Sequence, residues 1–309
     1  AMELFKIESL KDIILNPANH KTGEEVFNKF ITERDLSLLV GDTNCGKSLL
    51  AADIALANNN GLCFWEEPIN NRTRKAIYID GEMSDSQIAQ RYEHILGYTS
   101  EELIWVSLVS LVLDRSVEDI LRAIEKLIHK CLAIKLLVVD NVMSILPVFS
   151  AKQIKLLMQG LKRLKEQYAL TIILVVHLNK RNRNKPIEIR DIQGSSIISN
   201  YADSIIAIGN SCEGDHIKYL KQLKSRSTIK MSEVAVMEIK ESPYLHFEFC
   251  GYDEEENHLA SKSNSRCTIS LSMEDEILSL KEEGLSIRNI ADQLGLSKSV
   301  VGRFLKNNS

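Results

Sequence analysis

The stretch Gly41-Asp42-Thr43-Asn44-Cys45-Gly46-Lys47-Ser48 has two glycines, a lysine and a hydroxyl at the spacing of a phosphate-binding loop, G-x-x-x-x-G-K-[ST]. Glycines let such a turn fold tightly, so that backbone N–H groups point inward at phosphate oxygens. The helix that begins there adds its positive dipole end. Lys47 would reach the β- and γ-phosphates of ATP, and Ser48 would offer its hydroxyl to Mg²⁺. Cys45 is read as a spacer whose backbone does the binding. A second support for the metal stands in "LLVVDN", where Asp140 closes a fully apolar strand and should emerge beside the loop.

The elements that must position these residues follow from the apolar runs. "DLSLLVG" (35–41), "AIYIDGEMS" (76–84), "LIWVSLVS" (103–110), "IKLLVVDNV" (134–142) and "TIILVVHLN" (171–179) read as strands, with helical patterns at 116–132 and 151–168. Near-continuous β-branched runs alternating with helices indicate a parallel sheet covered on both faces. After residue 200 come strands without intervening helices, "DSIIAIG", "HIKYLKQL", "EVAVMEI" and "YLHFEFC", which read as an antiparallel extension of that sheet. The expected fold class is α/β, a mostly parallel sheet with an antiparallel extension, followed by a small all-α domain.

Composition sets the limits. The chain of 309 residues is 44% apolar and 26% charged, ordinary for a globular protein with a sizeable core. No run approaches the apolar length of a membrane span, and the start lacks a secretory pattern. Six scattered cysteines form no C-x-x-C pair, which fits reduced thiols and a cytoplasmic protein without a membrane partner. A net charge of −4 argues against wholesale nucleic-acid binding but leaves room for a local basic path. The expected divisions are an N-terminal segment 1–30, a core 31–250, a serine-rich and acidic linker 251–270, and a C-terminal domain 271–309.

The order of these pieces resembles the RecA-like ATPases, and within them the hexameric branch of RepA-type and DnaB-type helicases and KaiC-like ATPases. The likeness covers roughly residues 30–245, and "YIDGEMS" is close to the RepA-type form. It implies that Glu82 polarises the attacking water, and chemistry agrees, since a carboxylate on the neighbouring strand end can face the γ-phosphate across the crevice. It further implies that His177 senses the γ-phosphate. In "LKSRS", Lys224 and Arg226 would reach a neighbouring subunit's ATP, where cations stabilise developing phosphoryl charge. The assembly it implies is a homo-oligomer, a hexamer. No helical domain of the replicative type and no duplicated core of the KaiC type is present, which favours a minimal RepA-like ring.

Two segments point to nucleic acid. "KRNRNKPIEIR" carries Lys180, Arg181, Arg183, Lys185 and Arg190 against Glu188 alone, directly after the sensor strand. Repeated around a ring, it would line a channel for single-stranded DNA with positive charge; with no aromatic residue, base stacking is not indicated. In the C-terminal segment, Gly284 stops a first helix, Ser286 caps "IRNIADQL", and "GLS" turns into "KSVVGRFLK". Ala291, Gly295 and Val301 sit where a helix-turn-helix needs a small residue, a turn glycine and a core residue. The segment resembles the small domains of resolvases and transcription regulators, which would give Lys298, Ser299, Arg303 and Lys306 to duplex DNA. The acidic first helix (Glu274, Asp275, Glu276, Glu282, Glu283) would have to face away.

The reading that joins these observations is a DNA-dependent ATPase motor, a helicase or translocase guided by a duplex-binding tail. An ATP-switched DNA-binding regulator and a recombinase-like filament protein are the alternatives.

Overall fold

The apolar runs become strands of one sheet, and their near-continuous character is explained by cover on both faces. A computed structural model describes residues 9, 11, 24–60, 74–95, 103–108, 115–146, 148–259 and 271–307. The strands are β1 (Glu25–Phe27), β2 (Ile31–Thr32), β3 (Leu36–Gly41), β4 (Ala76–Asp80), β5 (Leu103–Ser107), β6 (Leu136–Asp140), β7 (Thr171–His177), β8 (Ser204–Asn210), β9 (Ile217–Lys224), β10 (Val234–Lys240) and β11 (His246–Asp253). The helices are α1 (Lys47–Asn60), α2 (Asp85–Tyr92), α3 (Val117–Lys130), α4 (Val142–Ile145), α5 (Ala151–Tyr168), α6 (Ser195–Tyr201), α7 (Leu271–Glu282), α8 (Ile287–Leu294) and α9 (Lys298–Asn307).

β1 and β2 form a small antiparallel pair. The nine-stranded sheet runs β11-β10-β9-β8-β3-β7-β6-β4-β5. From β5 to β8 all pairings are parallel, and β9, β10 and β11 follow antiparallel, as the run of strands after residue 200 implied. Period-two alternation splits each strand between two cores. Leu36, Leu38 and Val40 pack with α3 and α5, while Leu39 packs on the opposite face with Leu50 and Ile54 of α1. α3 begins at the capping box Ser116/Asp119 and α5 at the Ser150 cap.

Central β3 therefore has a parallel neighbour on each side, and its carboxyl end opens into the phosphate loop. In register, Gly41 pairs with His177 and with Ile208, and Asp80 pairs with Asp140. Sheet register alone gathers the ends of β3, β4, β6 and β7 at one edge, where ligands bind in open α/β sheets. Residues 254–259, expected as linker, instead pack on the core. Glu255 accepts from the Ile187 amide at 2.9 Å and pairs with Lys221, and His258 Nδ1 lies 2.8 Å from the Ser211 hydroxyl. Residues 260–270 of that expected linker lie outside the described residues.

The C-terminal segment forms the three expected helices around Ile277, Leu280, Ile290, Ala291, Leu296 and Val301. Gly284 and Gly295 have φ of +84° and +66°, and the Ser286 hydroxyl accepts from the Asn289 amide at 3.2 Å. No helix among the described residues is long and apolar enough to cross a membrane.

Candidate active site

The loop from Asp42 to Gly46 turns on two unusual backbone positions, Asn44 at φ +61° and Gly46 at φ +95°. At Gly46 a Cβ would stand 2.7 Å from Phe247 Cζ, so only glycine fits. Gly41 is equally confined, since a Cβ there would stand 2.5 Å from Cys45 Sγ. Cys45 is buried in that packing, and burial pushes its thiol up, which suits a spacer rather than a nucleophile. Lys47, also buried, donates its ammonium to the Asp42 carbonyl at 2.6 Å, spanning the loop where phosphate oxygens would lie.

Asp140 fits a metal-supporting role. Its Oδ2 accepts from the Tyr78 hydroxyl at 2.6 Å, and Ser48 stands near enough to favour the ionised carboxylate. Its Oδ1 is buried without a hydrogen-bond partner among the described residues. Burial raises the carboxyl above its usual range, partly offset by the hydrogen bond from Tyr78 and by Ser48. A hydroxyl and an unsatisfied carboxylate oxygen are hard oxygen donors of the kind Mg²⁺ takes. An unpaired buried acceptor is costly in isolation, so the arrangement fits the ion as well as ATP.

Glu82, half exposed, follows β4 in a turn held by Asp80. The Asp80 Oδ1 accepts from the amides of Glu82 and Met83 at 2.8 and 3.0 Å. Between Glu82 and His177 stands Asn141. Its Nδ2 donates to Glu82 Oε1 and lies 3.3 Å from His177 Nε2, while its Oδ1 accepts from the amides of Met143 and Ser144, capping α4. His177 Nε2 is itself 3.6 Å from Glu82. Burial and then the Lys47 charge push His177 below its ordinary value, against the pull of Glu82, which favours a neutral ring near pH 7.

Lys47, Ser48, Glu82, Asp140 and His177 are thus brought to one edge. Lys224 and Arg226 lie elsewhere, folded onto their own chain. Lys224 donates to the carbonyls of Ser199 and Ala202 at 2.8 and 2.7 Å, and Arg226 to Asp203 at 2.9 Å. In the basic loop, Lys180, Arg183, Lys185 and Arg190 are exposed. Arg181 is not: its side chain is 7% exposed, with Nε 3.7 Å from Asp42 Oδ2 and Nη1 donating to the Lys185 carbonyl at 2.8 Å. Arg183 Nε lies 3.5 Å from the same Asp42 oxygen, so the basic loop touches the phosphate loop directly. Ser299 and Arg303 face the core rather than solvent.

Sequence reading did not single out Asn141, Tyr78 or Asp80. Tyr78 offered a signal: a lone hydroxyl inside an aliphatic strand must find a partner when buried. Asn141 and Asp80 offered only their place beside a site residue.

A glycine-bounded loop between strand and helix, a carboxylate ending a neighbouring strand, and a polar group ending the next define a RecA-like P-loop ATPase. The sequence profile of the AAA domain family matches residues 10–183, more than half of the chain, and the chain belongs to that family. In fold it is similar to the KaiC-like protein PH0186 from the hyperthermophilic archaeon Pyrococcus horikoshii OT3, at 18% identity and a TM-score of 0.54. That alignment covers 74% of this chain and 97% of the other. It is also similar to a second solved ATPase domain, at 14% identity and a TM-score of 0.50, over 67% of this chain and 82% of the other. At these identities the likeness is one of fold. No curated protein matches the chain in sequence.

Proposed function

We propose that the protein is a DNA-dependent ATPase of the RepA-like hexameric type, a helicase or translocase that couples ATP hydrolysis to movement on single-stranded DNA. The observation that carries the coupling is the pair Arg181 and Arg183 on Asp42, which ties the basic loop to the phosphate loop. The likeness to a KaiC-like protein and to a second ATPase domain agrees with this reading.

Roles follow from position. Backbone amides of residues 42–48 and the start of α1 hold the phosphates, and Lys47 gives its ammonium to the β- and γ-phosphates. Ser48 and Asp140 would hold Mg²⁺, which when bound neutralises charge on the phosphate oxygens. Glu82 orients the attacking water and accepts its proton, with Asn141 fixing the carboxylate. His177 reports the γ-phosphate through Asn141 and starts the strand-end loop toward DNA. Lys224 and Arg226 act on a neighbouring copy's ATP. Lys180, Arg183, Lys185 and Arg190 bind the single strand, and residues 271–309 are a duplex-binding helix-turn-helix module.

ATP hydrolysis by the full chain tests this with no DNA, single-stranded DNA and duplex DNA, beside a Lys185→Ala/Arg190→Ala variant. Single strands are expected to stimulate the wild type, and the variant to lose most of that stimulation. Stimulation by duplex alone would replace the motor with an ATP-switched regulator.

A further inference from the structure

The face of α9 suited to a DNA groove is occupied by the chain's own core. Arg303 Nη2 donates to Glu213 Oε2 at 2.6 Å, the two side chains being 17% and 12% exposed. Ser299, 1% exposed, has its single hydroxyl proton within reach of Glu213 Oε1 at 3.2 Å and Asp253 Oδ2 at 3.3 Å. Lys298 Nζ lies 2.8 Å from Glu233, and Lys306 Nζ lies 2.7 Å from Glu248. Between them a Cβ on Gly302 would stand 3.3 Å from the Cys250 carbonyl oxygen, so the helix backbone rests closely on β11.

Positions 298, 299, 302, 303 and 306 recur at three- and four-residue spacing and form one stripe of the helix. The opposite stripe, Val301 with Phe304 and Leu305, packs into the three-helix core. Residues 298–305 are all buried or half-buried, and Lys306 alone of the stripe is exposed, so most of the face a groove would need is covered.

We propose that the ATPase core masks the DNA-reading face of its own C-terminal module. Glu213, Glu233, Glu248 and Asp253 take the places that duplex phosphates would take, so core and duplex compete for α9. This rests on the reading of residues 271–309 as a duplex binder. The same cations cannot serve both partners, so apparent duplex affinity falls by the fraction of molecules in which α9 is free. Linkage makes the effect reciprocal: duplex binding draws α9 away and bares the β11 edge.

The test uses the full chain and a Glu213→Ala/Glu233→Ala/Glu248→Ala variant, altered only on the core side. Amide exchange over residues 298–307 reads release, and anisotropy of a labelled mixed-sequence duplex at fixed salt reads binding. Basal ATP hydrolysis checks folding, with Glu213→Ala alone as the milder variant. The expected result is faster exchange and a gain in duplex affinity of about 5–150-fold, the usual span of such couplings. Swapping the half-buried pair, Glu213→Arg with Arg303→Glu, should restore slow exchange. Faster exchange with the affinity already present in the wild type overturns the masking and leaves the duplex reading standing. Released α9 with no duplex binding by either protein defeats the duplex reading, and the masking with it. Unchanged exchange shows that these carboxylates do not hold the helix and also overturns the proposal.

Discussion

At the scale of single residues, Tyr78 carries more than its place in an apolar strand suggests. It stands opposite Val138, whose side shares a face with Asp140 two residues on, so its hydroxyl meets the Asp140 carboxylate at 2.6 Å. Its ring stacks on Trp105 with centroids 4.1 Å apart, which fixes the hydroxyl's direction. One carboxylate oxygen is thereby tied and the other left without a hydrogen-bond partner among the described residues. On the proposed reading, Tyr78 positions the metal-supporting group, and outer partners of this kind are worth roughly 10–100-fold in metal affinity. Tyr78→Phe is expected to raise the Mg²⁺ concentration at half-saturation by that factor. Titration of Mn²⁺ into the ATP-loaded protein, followed by its paramagnetic signal, gives the same readout without turnover. Unaltered metal affinity would reduce Tyr78 to a packing residue.

At the scale of elements, the legible parts were those set by local pattern. Strand runs, the phosphate loop, Asp140 as a strand end, and the Ser286 cap of α8 follow from periodicity and capping chemistry. Asn141 and the run 253–258 did not, because their meaning depends on partners distant in sequence. Asp253 and Glu255 look like linker acids until the structure brings Ser299, Lys221 and the Ile187 amide to them. Arg181 failed in the same way: a basic loop reads as solvated until its neighbour Asp42 is known. The contact between that loop and the phosphate loop is itself testable. Asp42→Asn removes the charge that Arg181 and Arg183 share. It is expected to cut the ratio of DNA-stimulated to basal hydrolysis by about 5-fold or more, the lower end of coupling between sites. An unchanged ratio would show that the arginines only pack there.

At the scale of the whole molecule, the open question is what completes the site. Within one chain no cation other than Lys47 among the assigned catalytic residues reaches the edge where Glu82 and Asp140 meet. Arg226 is 51% exposed and, among the described residues, tied to Asp203 and the Asn200 carbonyl, and Ile229, three residues on, is 95% exposed. On the proposed reading, a half-free guanidinium beside a bare apolar side chain suits a head-to-tail contact with a second copy, in which each site would borrow from its neighbour. Such an arginine supplied in trans is worth about 10³-fold or more in turnover. Glu82→Gln and Arg226→Ala should each abolish hydrolysis when assayed alone, although they lie apart in one chain. Mixed, they should recover part of it. An Arg226→Ala subunit keeps its own Glu82 and would receive Arg226 from a Glu82→Gln neighbour, giving complete sites at mixed junctions. Recovery that rises and falls with the mixing ratio would establish the shared site. Two inactive proteins that stay inactive together, while still assembling, would place Arg226 in the service of its own chain, holding Asp203 at the end of α6.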